Sequence, residues 1–236
     1  MLVMTSTTKK TALVTGATRG IGRAIAEELG RDHHILVGGR TGVGEVVDKL
    51  PSAEPFEADL TDQDALEAAT RGIERLDVLV HSAGVCPWQR LEESSISDWQ
   101  DAFALNVFAP AELTRLLLPA LRRTTGLVVA INSGSGYHSG EKSGLYSGTK
   151  FALRAWTDAL RAEELGALRV TSIHPGRVDT DMQVQLQQDM GADAEEYDGS
   201  RYVAPESVAK AVRLAADAGR DASLDEISVR PSGLAL

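Results

Sequence analysis

Six short, mainly apolar runs separated by helix-like segments constrain this 236-residue chain more than any other feature. The runs lie at 12–14, 34–37, 76–80, 127–131, 170–173 and 227–229. Continuous rather than alternating apolar character belongs to strands covered on both faces. Between them, helical spacing runs over 20–29, 62–72, 98–104 continuing into 109–121, 146–165 and 205–218. Ser97-Asp98-Trp99-Gln100 reads as a capping box, and Pro205 fits a first helical turn. Strand and helix in alternation predict an α/β fold, a doubly wound parallel sheet with helices on both faces. No repeat or linker divides the chain, so residues 1–236 read as one domain of ordinary size.

One stretch breaks the rhythm. Residues 177–204 are polar and rich in Gln, Asp, Glu and Gly, with Met182, Leu186, Met190 and Tyr197 scattered through them. A long connection in a compact domain is a functional lid or an idle loop, and its place after the fifth run favours a substrate lid. The formal charge of -10 argues against nucleic acid and anionic membranes as partners. Cys86 is the only cysteine, so no intramolecular disulfide can form and a reducing compartment, the cytoplasm, is expected. As a side chain it reads as a buried small residue before a reactive thiol. The first ten residues have no apolar stretch of signal-peptide length, and no apolar run of membrane-spanning length occurs in the sequence.

The first apolar run leads straight into Thr15-Gly16-Ala17-Thr18-Arg19-Gly20-Ile21-Gly22. After a strand and before a helix, such glycines let the backbone approach a pyrophosphate, which the helix N-terminus favours. Gly16 would make the turn, and Gly20 and Gly22 would allow close approach and tight helix packing; a mere tight turn is the plainer alternative. The spacing is G-x-x-x-G-x-G. Nucleotide choice is expected at the end of the second run, which reads Val37-Gly38-Gly39-Arg40 without a carboxylate. An acidic residue there would favour NAD. Arg40 and Arg19 could instead grip a 2′-phosphate, if they are not simply solvated, so NADP(H) is the expected cofactor in preference to NAD(H).

The second cluster lies downstream. Tyr146 and Lys150 are four residues apart, on one face of a helix. A free phenol has a pKa near 10, and a neighbouring ammonium, with the positive charge of an oxidised nicotinamide, is expected to lower it. Tyr146 is thus a candidate acid or base, with Lys150 as its electrostatic partner. Ser133, closing the fourth run, could hydrogen-bond a substrate oxygen. Ser135 is a rival hydroxyl, kept as a cleft residue.

Together these motifs resemble the short-chain dehydrogenase/reductase superfamily, in its compact Tyr-x-x-x-Lys branch, over nearly the whole chain. The resemblance implies a single Rossmann-type domain that moves a hydride between NADP(H) and a carbonyl or alcohol, with Tyr146 as general acid/base. It makes Thr15–Gly22 the dinucleotide loop and puts Asp59 and Leu60 beside the adenine. His81-Ser82-Ala83-Gly84 takes the place of the family's Asn-Asn-Ala-Gly element. By the same match Asn106 holds a water in a proton relay, completing a tetrad with Ser133, Tyr146 and Lys150, and Lys150 also binds the nicotinamide ribose. Pro175, Gly176, Val178 and Thr180 match the nicotinamide-side loop. A homodimer or homotetramer follows by resemblance, through 109–121 and 146–165.

Two departures stand out. His81 and Ser82 replace the usual asparagines; His81 reads as a hydrogen-bonded structural residue before a base. The ending Glu226-Ile227-Ser228-Val229-Arg230-Pro231 lacks the Asp-Gly-Gly of tetrameric relatives and looks more like that of NADP-linked hydroxyacid or general carbonyl reductases. Trp88, Tyr137, His138, Met182 and Tyr197 are candidates to line the substrate pocket. No metal is expected, because no Cys, His and carboxylate group shows ligand spacing. A non-catalytic NADP(H)-binding redox sensor is the principal alternative; a relative that recycles bound cofactor as an isomerase or dehydratase is a second.

Overall fold

The computed structural model describes residues 9–191, 193, 197–219 and 221–233. The reading of the N-terminus falls largely on residues 1–8, outside these, as do 192 and 194–196 of the expected lid. Seven strands form one parallel sheet in the order β3-β2-β1-β4-β5-β6-β7. They are β1 (Lys10–Val14), β2 (His33–Gly39), β3 (Ala53–Glu57), β4 (Val78–His81), β5 (Leu127–Ile131), β6 (Arg169–Pro175) and β7 (Glu226–Val229). The order turns back between β1 and β4, the place where open α/β sheets open a crevice for ligands.

The continuous apolar runs have a direct packing cause. On one face, Ala12, Val14, Ile35 and Val37 pack with Ile25 and Leu29 of α1 (Gly20–Leu29) and Val208 and Val212 of α8 (Pro205–Asp217). On the other, Leu13, Leu36 and Leu79 meet Leu66 of α3 (Gln63–Thr70) and Leu117 and Leu121 of α5 (Ala109–Arg122). Each large aliphatic side chain withdrawn from water contributes about 1.5–3 kcal/mol, so a polar residue is accommodated on these faces only with a hydrogen-bond partner, as His33 and His81 have. The spacing of Leu113, Leu117, Ala120 and Leu121 keeps one stripe of α5 on the sheet.

Expectation and structure differ in four places. β3 carries no apolar run because it is an edge strand: only Phe56 is buried, and Pro55 sits where a missing N–H is tolerated. A short α2 (Val43–Val47) precedes it. The capping box before α4 (Ile96–Phe103) is Ser95 with Asp98, two residues earlier than expected. Within 177–204, α7 (Asp181–Asp189) forms, capped by the Thr180 hydroxyl, so this stretch is not simply irregular.

Helices α4 and α5 are one continuous helix of 27 residues, Ile96–Arg122, joined by a π-helical turn at Ala104–Phe108. By length and mean hydropathy it could cross a membrane, yet half of its most apolar window is buried inside the protein, as in any core helix. The π turn places Asn106 inward and almost wholly buried.

Candidate active site

The turn after β1 is built from backbone. Gly16 has φ +64°, and a Cβ there would lie 2.9 Å from the Ala83 Cα. A Cβ on Gly22 would collide with the Gly16 carbonyl oxygen, so α1 can pack this tightly on the turn only with glycine. Thr15 locks the two switch-point strands together. Its Oγ1 donates to the Val80 carbonyl at 3.3 Å and accepts from the N–H groups of Ser82 at 3.0 Å and Ala83 at 3.2 Å.

The N-terminus of α1 is left open. Arg19 at the cap makes no side-chain cap hydrogen bond, and the first turn holds no acidic residue. Free N–H groups and an uncompensated dipole make a ready anion site, so these residues fit a dinucleotide pyrophosphate. Thr18 lies against Gly39 at the end of β2, and Thr180 lies against Gly20, which brings the loop after β6 beside the glycine turn. Arg19 and Arg40 are both exposed, and neither forms an ion pair among the described residues. Arg40 is near enough to help hold the Asp59 carboxyl below its usual range, after the larger effect of the Thr61 hydrogen bonds. Leu60 is half-buried and packs partly into the core.

A cleft of about 570 Å³ opens past Ile21 over the ends of β4, β5 and β6. Ser82, Ala83, Gly84, Ser133, Tyr146, Lys150, Pro175, Gly176, Val178 and Thr180 line it, as do Trp88, His138 and Met182. Tyr137 and Tyr197 do not. The Tyr137 hydroxyl donates to Glu226 at 2.7 Å and its ring stacks under Arg154, toward the β7 edge. The Tyr197 hydroxyl is tied to Asp179 at 2.8 Å.

Ser133 follows β5 directly. Its Oγ accepts from the Ser135 N–H at 3.1 Å, its own N–H is held by the Asn132 side chain at 2.9 Å, and its hydroxyl reaches the Tyr146 phenol. Ser135 thus orients Ser133 through its backbone. Tyr146 and Lys150 project from the first turns of α6 (Gly144–Glu163). The Lys150 ammonium donates to the Ile131 carbonyl at 2.9 Å and sits 5.7 Å from the centre of the Tyr146 ring.

Burial governs the titration of this group. It pushes the Tyr146 phenol above its ordinary value, against the opposing Ser133 hydrogen bond, and brings the Lys150 ammonium down to about 8. The expected lowering of the phenol by Lys150 is therefore not produced by the chain's own residues. Desolvation of the phenolate outweighs the Ser133 hydrogen bond, and the ammonium is turned to a strand carbonyl. Burial also raises the Cys86 thiol to about 11, so this cleft residue is not a poised thiolate.

Asn106 stands behind the cleft. Its Oδ1 accepts from the Val85 N–H at 2.9 Å, and its Nδ2 donates to the Val85 carbonyl at 2.9 Å and to Thr149 Oγ1 at 3.0 Å. Both of its amide hydrogens are engaged, which leaves the side chain only one free acceptor site, on Oδ1. Pro110, which has no N–H, removes one donor from the turn that follows Leu105 and Asn106. His81 points away from the cleft: Nε2 meets Thr114 Oγ1 at 2.8 Å, and burial lowers its pKa to about 3, so it stays neutral.

Arg230, Gln183, Asn132 and Thr149 escaped the sequence reading. The first two line the cleft from the segment after β7 and from α7, and contacts so distant in sequence leave no local signal. Asn132, adjoining Ser133, was the one that neighbour position could have suggested.

Comparison with known proteins identifies the family and the fold. The short chain dehydrogenase family model matches residues 10–191. Mouse dehydrogenase/reductase SDR family member 11 is 30% identical over 243 residues, covering 94% of each chain. An alcohol dehydrogenase from Thermococcus sibiricus, solved with 5-hydroxy-NADP, is 26% identical with a TM-score of 0.85, covering 95% of this chain and 97% of its own. A protein from Beutenbergia cavernae assigned as an NAD(P)-dependent gluconate 5-dehydrogenase, with NADP bound, is 33% identical with a TM-score of 0.84 over 94% of this chain and 96% of its own. With its parallel seven-stranded sheet and its glycine turn, this chain belongs to the short-chain dehydrogenase/reductase superfamily of oxidoreductases.

Proposed function

We propose that the protein is an NADP(H)-dependent oxidoreductase that interconverts a carbonyl and an alcohol, with Tyr146 as general acid/base. The observation that carries this reading is the convergence of the Ser133 hydroxyl, the Tyr146 phenol and the Lys150 ammonium in one cleft beside an uncapped helix N-terminus. Glycine turn, α1 N-terminus and the Pro175–Thr180 loop would hold the dinucleotide, and NADPH bound there would supply the hydride. Ser133 orients the substrate oxygen, and Tyr146, protonated throughout the neutral range, delivers its proton to the oxygen as charge develops. Lys150 stabilises the resulting phenolate. A water on the main chain near Asn106 would return the proton.

Arg40 and Arg19, at the end of β2 and the start of α1 and without an ion-pair partner among the described residues, support preference for the 2′-phosphate, as do the NADP-bound neighbours. Exposed Phe108 and Phe151, on the α5 and α6 sides, support a homo-oligomer. The segment around α7 supplies Met182, Gln183 and Leu186 to the cleft wall, which supports its role as a lid. The test follows NADPH and, separately, NADH absorbance against aldehydes, ketones and oxo acids. Consumption with NADPH strongly preferred is expected; binding of NADPH without turnover of any member would overturn the enzymatic reading.

A further inference from the structure

The charge of the cleft runs against that of the protein. The chain carries 34 Asp and Glu against 24 Lys and Arg. Yet Lys150, Arg177 and Arg230 line the cleft, and no Asp or Glu lines it among the described residues. Asp189, at the end of α7, is near enough to raise Cys86 further but is not part of the lining.

Arg230 is the cation that the dinucleotide does not explain. It follows β7, at the opposite end of the sheet from β3 and on the far side of Ser133 from the glycine turn. A Cβ on Gly134 would lie 3.1 Å from its Nη2, and one on Gly176 would lie 3.3 Å from its Cδ. The side chain therefore passes between two residues that leave room for it, one of them adjacent to Ser133. Its Nη1 donates to the His174 carbonyl at 2.9 Å, which fixes the guanidinium, and no carboxylate pairs with it among the described residues. The residue is exposed, so a ligand can reach it.

A second observation points the same way. Gln183 is 5% exposed, lines the cleft, and its Nε2 has no hydrogen-bond partner among the described residues; the same is true of the Trp88 indole N–H. Buried donors without acceptors are costly, and a ligand rich in acceptor oxygens would relieve them. A fixed guanidinium and two idle donors match a carboxylate far better than a plain ketone.

Resting on the oxidoreductase reading above, we propose that the substrate is a short oxo or hydroxy acid whose carboxylate is held by Arg230, with Gln183 donating to its remaining oxygens. The reaction balances as oxo acid plus NADPH plus a proton giving hydroxy acid plus NADP⁺. The carbon–oxygen double bond is reduced, and the carboxylate is untouched.

The test compares 2- and 3-oxo acids with their methyl esters, by NADPH oxidation and by the thermal shift that malonate produces in the NADP⁺-loaded protein. In the parent protein, kcat/KM for the acid should exceed that for the ester by about 10–100-fold, the range of a charge-assisted hydrogen bond. Arg230→Leu should bring that ratio near one and abolish the malonate shift, while NADPH Kd stays within about twofold; Arg230→Lys should recover part of both. Gln183→Leu, which does not disturb the packing around Gly134, should raise KM for the acid with kcat kept. A ratio near one in the parent protein, with neutral ketones and esters turned over, overturns this inference and leaves the oxidoreductase reading standing. So does an Arg230→Leu variant that loses NADPH affinity as fast as acid turnover, which would assign Arg230 to the nucleotide. No turnover of acid, ester or ketone overturns both.

Discussion

The two halves of the cleft are made of different material. Around β1 and α1, the site is main chain: a left-handed Gly16, a Gly22 that admits no side chain, and the free N–H groups of α1. Around β5 and α6, it is side chain: a hydroxyl and a phenol half-buried in the cleft wall and a buried ammonium, each held by a named neighbour. A backbone cradle recognises a shape and a charge that many reactions share. A buried polar cluster sets proton affinities, which belong to one reaction. The halves should therefore fail differently, the first in nucleotide affinity and the second in turnover.

The widest separation is expected from Tyr146→Phe. Turnover should fall about 10³-fold, as for loss of a general acid, while NADPH Kd measured by nucleotide fluorescence hardly moves. Comparable loss of binding would erase the distinction between the halves. Arg40→Asp should act only on the first half, lowering the NADPH-to-NADH ratio of kcat/KM by about 10–100-fold, the range of a lost charge-assisted contact. A pH profile sharpens the second half. Lys150 carries its charge below about 8 and loses it above, while the raised phenol stays protonated, so reduction should be level at low pH and fall about tenfold per unit beyond about 8. The same depressed ammonium opposes folding at neutral pH, because the unfolded chain keeps that proton; this penalty is lifted as pH rises from about 8 toward the unfolded value near 10.4. Smallest in rate but clearest in stability, Gly22→Ala should cost about 1–3 kcal/mol by overpacking against Gly16, read as a lower Tm together with weaker NADPH binding.

Legibility followed locality. Strands covered on both faces write continuous apolar runs, so β1, β2, β4, β5 and β6 could be read directly. β3 was silent, since an edge strand with one buried residue has no pattern to show. The position of the helix cap was blurred by two serines two apart, both followed by polar partners; the Ser95–Asp98 hydrogen bonds decide it. Motifs that span a single turn, such as the glycine loop or Tyr146 with Lys150, announced themselves. Arg230 and Gln183 did not, because what brings them to the cleft is the closing of the sheet by β7 and the return of α7, not any nearby spacing. Nor could residue types say that burial would outweigh the Ser133 hydrogen bond at the phenol, since that balance depends on how deeply the group is enclosed.

The π turn at Ala104–Phe108 has a consequence for how this chain can vary. It works as a phase shifter: one extra residue in the turn rotates everything downstream by about 100° relative to a plain α-helix. Upstream of it the helix is indexed to α6, and downstream to the sheet through Leu113, Leu117 and Leu121. Substitutions within Ile96–Arg122 leave that indexing alone, whereas deletion of a single residue from the turn would swing either Asn106 or the leucine stripe out of register. The length of this helix, counted in residues, is thus constrained more tightly than its composition.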